Sequence, residues 1–182
     1  MAYLVANPPR ITQYRSRRGK VTGCLTIHTA ESQPDEVGPD TGTDNVARFI
    51  RDRTTYGSYH WLADSDSHML LVPLSMAAYG DGTPGGNERA IHISAATQAH
   101  RWPTLNAQQK VGFVKEMAKA AAKSARWLKK HHGITVPAKR ITRAESERGL
   151  PGFISHGERD PGRRSDPGAA FPWVMFLNEF KN

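Results

Sequence analysis

Cysteine is almost absent from this sequence: Cys24 is the only one. A single thiol excludes an intramolecular disulfide framework, and it excludes any metal site built from thiolates alone. Cys24 itself reads as a small core residue in a strand. Long apolar runs are missing as well. No stretch approaches the roughly 20 apolar residues of a membrane helix, and residues 1–10 (MAYLVANPPR) lack the uninterrupted apolar run of a secretory signal. The expectation is a chain made without a signal peptide and not stably inserted in a membrane. Internal repeats, helix-turn-helix, finger and RNA-binding signatures are also missing. The net charge of +8 favours association with an anionic polymer, but without such a signature nucleic acid is not the expected partner.

What is present suits an ordinary folded chain. With 38% hydrophobic and 23% charged residues, disorder is disfavoured, and residues 1–182 are expected to form one domain with a core from about 21 to 180. Residues 23–29 read as a strand with Cys24, Thr26 and His28 on one face and Leu25 and Ile27 on the other. Residues 31–42 are rich in Pro, Asp, Gly and Thr and read as a loop. Thr43 or Asp44 then caps a helix whose apolar positions are Val46, Phe49 and Ile50. Residues 59–63 and 68–72 flank Asp64-Ser65-Asp66-Ser67 as a hairpin. Residues 80–88 form a Gly-rich loop and 90–94 a short strand.

The best-defined helix spans about 107–131, with Asn106 and Gln109 as a capping box and Gly133 as its stop. Val114, Met117, Ala121 and Leu128 line one face. Lys115, Lys119, Lys123, Arg126 and Lys130 line another, which reads as a solvated face. Residues 133–172 are expected to be mostly irregular, before a last helix near 173–180. Strands and helices intermix, so the expected fold class is α/β, a central mixed sheet flanked by helices.

Three segments carry candidate chemistry: Thr26-Ile27-His28-Thr29-Ala30, Ser58-Tyr59-His60-Trp61, and the loop from His156 to Gly168 that contains Asp166. A hydrolytic zinc takes three protein ligands and leaves a position for water, whose pKa falls from about 15.7 to about 7. His28, His156 and Asp166 would make a two-histidine, one-carboxylate set. His156 and Asp166 can converge from the two ends of a Pro/Gly-rich loop, and His28 reaches them from a strand. Spacing alone leaves alternatives open. A lone His is often a surface or core residue, and Asp160, followed by Pro161, is either another partner for His156 or a turn residue. His60 alternates with Tyr59 and reads as a packing residue on the other side of the strand. His131 and His132 read as cations at a helix C-terminus, and Trp61 and Trp102 as core.

In their order and separation these segments resemble type-2 N-acetylmuramoyl-L-alanine amidases, a family that includes amidase-type phage lysozymes and is related to peptidoglycan recognition proteins. The likeness runs from about Val21 to Trp173. It includes Gly133-Ile134 after the long helix, and Gly162-Arg163-Arg164-Ser165-Asp166-Pro167-Gly168, similar to the family's Gly-Arg-Lys-Thr-Asp-Pro-Gly. The resemblance implies Zn²⁺ held by His28, His156 and Asp166, and catalytic roles for Tyr59 and Arg164. It implies hydrolysis of the muramoyl–alanine amide of peptidoglycan by a monomer. Arg164 replaces the family's Lys, which favours electrostatic work over proton donation. Tyr79 stands where many members carry His, and Ser94 where recycling members carry a catalytic Glu. Tyr79, His92 and Glu31 are therefore candidate substrate-binding or helper residues. The expected lack of a signal peptide fits a phage endolysin, made in the host cytoplasm and released to the wall by a partner pore protein, and the missing Glu disfavours a recycling role. Two other readings are a recycling amidase and a non-catalytic recognition protein.

Overall fold

The computed structural model describes residues 10–32, 42–53, 57–83 and 85–182. Most of the loop expected at 31–42 lies outside these residues. Five strands form the central sheet: β2 (Cys24–Thr29), β3 (Trp61–Ala63), β4 (His68–Leu70), β6 (Ile91–Ala95) and β7 (Gly152–Ser155), in the order β4-β3-β6-β2-β7. β2 runs parallel to both β6 and β7, β3 runs parallel to β6, and β4 is antiparallel to β3. The sheet is mixed, as expected. A separate antiparallel pair joins β1 (Tyr14–Ser16) to β5 (Met76–Ala78).

Alternation along β2 divides the molecule into two layers. Leu25 and Ile27 enter an apolar cluster with Ile93, Phe113, Met117, Leu128, Phe153 and Phe176. This layer is built by α3 (Ala107–His132) and α6 (Trp173–Lys181). The Asn106–Gln109 capping box and the left-handed Gly133 bound α3, so this helix begins and ends on local chemistry. The opposite face of the sheet carries Leu62, which packs with Val46, Ala47 and Ile50 of α1 (Gly42–Asp52). Farther along that same face stand Thr26, His28, His92 and Ser94, all buried.

Two expectations are corrected. Phe49 is 63% exposed, because the buried stripe of α1 runs through Val46, Ala47 and Ile50; the Arg53 guanidinium lies over its ring. The hairpin turn reaches the start of α1, where an Asp64 carboxylate oxygen accepts from the Thr43 N–H at 2.9 Å. The same carboxylate accepts from the Asp66 and Ser67 N–H groups and closes its own turn. Residues 133–172 are not mostly irregular. They contain α4 (Arg143–Glu147), β7 and α5 (His156–Arg159). The remaining helical elements are α2 (Gly86–Arg89) and a 3₁₀ turn at Ala99–Arg101. None of the described helices is long and apolar enough to cross a membrane. Cys24 and Trp102 are buried in the core, and Trp61 is nearly so.

Candidate metal centre

Two parallel strands deliver the first two residues of the site. His28 stands one residue from the end of β2, and His156 follows directly on β7. Both thus lie at the carboxyl ends of neighbouring parallel strands, where open α/β sheets place their crevices. Ser155 caps α5 reciprocally with Glu158, and this fixes His156 in the first turn. The chain then loops back until the Gly157 N–H donates to the Asp166 carbonyl at 2.8 Å. A Cβ on Gly157 would come within 3.1 Å of the Ser165 backbone, so glycine suits this close approach.

The outcome is a buried cluster. One ligand atom from each of His28, His156 and Asp166 lies within 4.8 Å of the others. Asp166 Oδ2 is 3.1 Å from His28 Nδ1 and 3.2 Å from His156 Nδ1. Burial disfavours the charge on Asp166. Hydrogen bonds from His156 and His28, with their charge, outweigh that and hold the carboxyl well below its usual range. Burial pushes His28 down, against the hydrogen bond to Asp166 that favours its cation. The site therefore offers a carboxylate and neutral imidazole as donors, a set that suits zinc. His156 Nε2 is buried with no hydrogen-bond partner among the described residues.

The cluster opens into a cleft of about 570 Å³. Tyr59, Glu31, Tyr79 and Arg164 all line it, together with His156 and Asp166. The Tyr59 ring lies 5.1 Å from that of His28. Burial, and then the Asp166 charge, push the Tyr59 phenol up to about 12, against a hydrogen bond with Ser94. Near neutral pH it is a hydrogen-bond donor rather than a base. Glu31 adopts a left-handed backbone (φ 53°), and its Oε1 accepts from Thr29 Oγ1 at 2.5 Å and from the Ala99 N–H at 3.0 Å. Arg15 lies over the Tyr79 ring at 5.7 Å.

His92 is placed differently. Expected as a substrate or helper residue, it is fully buried behind His28 and lines no part of the cleft. Its register partner on β2 is Thr26, one step deeper in the sheet than His28, which pairs with Ser94. Asp160 does not join the cluster; it accepts from Arg163 Nε at 2.8 Å. His60 is buried and stacks on His92, while His131 and His132 lie beside Trp127 on the last turn of α3.

Two features were missed from the sequence. Arg15, Arg53 and Arg163 join Arg164 around the cleft. Behind it, buried Arg159 of α5 pairs with Asp81, hydrogen-bonds to Ser146, and donates to Thr83 Oγ1 at 3.3 Å. This tether ties the helix bearing His156 to the loop after β5. Burial opposes the charge of Asp81, but Arg159 overcomes it and lowers the carboxyl. Gly80-Asp81-Gly82 carried only a loop signal, and Arg159 stood in a stretch expected to be irregular.

A mixed sheet with two histidines at the ends of parallel strands and an aspartate in the loop after the second, open to a cleft, is an arrangement that could hold a metal ion. The family model for N-acetylmuramoyl-L-alanine amidase matches residues 17–169, and the chain belongs to this family of peptidoglycan-cleaving enzymes. Solved structures share the fold at low identity. The Staphylococcus aureus hydrolase AmiA, in complex with its ligand, has a TM-score of 0.60 at 13% identity, covering 94% of this chain and 80% of that one. A selenomethionine derivative of AmpD has 0.56 at 18%, covering 98% and 96%. A mutant endolysin from Bacillus subtilis has 0.55 at 19%, covering 94% and 95%. No curated protein sequence matches the chain.

Proposed function

We propose that the enzyme hydrolyses the amide between the lactyl group of N-acetylmuramic acid and L-alanine, using zinc held by His28, His156 and Asp166, and that it serves as a phage endolysin. The observation that carries this reading is the buried His28–His156–Asp166 cluster at an open cleft. When bound, zinc supplies Lewis-acid activation of water and of the scissile carbonyl.

The chain's own groups do the rest. Tyr59, protonated near neutrality, donates a hydrogen bond to the carbonyl oxygen as negative charge builds there. Arg164, on the rim two residues before Asp166, adds a permanent positive charge but no labile proton. Glu31 and Tyr79 contact the bound stem peptide. Four arginines around the cleft suit a substrate rich in carboxylates. The endolysin role is supported by a shared fold with an endolysin and by Ser94 standing where recycling members carry Glu.

Digestion of purified cell wall tests the bond cut. Free N-terminal alanine without new reducing sugar ends is expected, with activity lost on chelation and restored by Zn²⁺. New reducing ends would place the cut in the glycan instead. Wall binding with no product, in the presence of Zn²⁺, would favour a recognition protein. For the endolysin role, co-expression with a pore-forming protein should lyse the host, whereas expression of the enzyme alone should not.

A further inference from the structure

We infer that His92 is a positioning residue for the metal centre, accepting the Nε2 proton of the tautomer in which His28 offers Nδ1 to the ion; this rests on the reading of His28 as a zinc ligand. His92 Nδ1 is 3.0 Å from His28 Nε2, and both rings are fully buried. Proton accounting makes the contact decisive. One proton sits between these two nitrogens. If His92 Nδ1 carries it, His28 Nε2 accepts, and the proton of neutral His28 lies on Nδ1, 3.1 Å from Asp166 Oδ2. That nitrogen then has no lone pair for a metal. If His28 Nε2 carries the proton, it donates to His92 Nδ1, and His28 Nδ1 is free to ligate. The proton of neutral His92 then lies on Nε2. Both arrangements hold two protons, so the switch relocates protons and releases none.

A metal-bound histidine ordinarily gives its second N–H to a carboxylate, carbonyl or water; here the acceptor is another imidazole. The surroundings hold that imidazole in place. Its backbone N–H donates to His60 Nδ1 at 3.0 Å, and its ring stacks on that of His60 at 5.6 Å and 14°. On another side lies Gly80, where a Cβ would come within 2.7 Å of the His92 ring. Packing alone does not call for histidine. His92 Nε2 is buried with no partner among the described residues, a penalty that an apolar side chain would avoid.

Zinc affinity, measured by competition with a chromophoric chelator, provides the test, with urea unfolding as the check on folding. His92→Leu removes the acceptor, and zinc binding should weaken by about 10- to 100-fold. His92→Asn places an amide oxygen near the Nδ1 position and should recover most of the affinity. A second measurement needs no variant. Long-range ¹H–¹⁵N correlations on the zinc-loaded wild type should show both His28 and His92 protonated at Nε2. A folded His92→Leu protein with wild-type zinc affinity, or a zinc-loaded His92 protonated at Nδ1, would overturn the inference. Failure of the wild type to bind zinc would instead overturn the metal reading beneath it.

Discussion

Acidification should destabilise the metal-free protein before its carboxylates titrate. Three imidazoles, His28, His60 and His92, are completely buried. Burial, and then the charge of Arg17, hold His60 down to about 3, although the Met76 carbonyl favours its cation. His28 and His92 are also lowered, first by burial. In the unfolded chain each titrates near 6.5. Below that pH the unfolded state binds more protons, so this stability is complete above about 6.5 and is lost as pH falls towards the folded values. Each group removes about 1.4 kcal/mol per pH unit, so His60 alone removes about 2 kcal/mol between pH 6.5 and 5. His28 and His92 add to the loss in the same direction. Asp166 does not contribute in this window. Its folded pKa is depressed, so its share is lost only below the unfolded carboxylate value of about 4. Urea unfolding with chelator present, at pH 7.5, 6.5, 5.5 and 5.0, measures the effect. The midpoint should fall steadily below pH 6.5, and His60→Asn should make that fall shallower. Equal midpoints at pH 7.5 and 5.0 would refute the reasoning.

Three further outcomes are expected. Tyr59→Phe should lower kcat by about 10²- to 10³-fold while leaving zinc affinity unchanged, because the phenol acts as a donor to the oxyanion; a parallel loss of zinc would show that Tyr59 shapes the site instead. Arg159→Met leaves the Asp81 carboxylate buried without its cation and should cost about 3–5 kcal/mol in urea unfolding, with Asp81→Leu in the same chain restoring much of it. A Gly80→Ala chain should lose zinc affinity as well as stability, since the new methyl displaces the His92 ring; chelator competition reads the first and urea unfolding the second.

The elements legible in the sequence are those whose chemistry is self-contained. α3 has its capping box, its apolar stripe and its Gly133 stop all within its own residues. The hairpin turn has Asp64, whose carboxylate closes it. β7 has nothing comparable. It is four residues after Pro151 in a Pro- and Gly-rich stretch, and it becomes a strand through parallel pairing with β2, more than a hundred residues away. Phe49 fails for a related reason. It fits the helical spacing from Val46, but the sheet meets the side of α1 that carries Ala47.

The site divides along the same line. His28, His156 and Asp166 are grouped in the sequence by the order and separation of their segments, which resemble those of the amidase family; in the fold each stands at a strand end or in the loop that follows one. Chain direction alone brings such positions to one edge of a parallel sheet. Depth behind that edge is a different quantity. His92 and Ser94 alternate with Ile91 and Ile93, so period-two patterning puts both on the His28 face and says nothing of which lies deeper. The register of β6 against β2 decides it, pairing Ser94 with His28 and His92 with Thr26. Register between distant strands comes from the packed layers on both faces, not from either strand alone. One row along the strand separates a side chain beside the Tyr59 phenol from one sealed behind the His28 ring. The histidine expected beside the substrate is therefore placed by the fold one row behind another histidine.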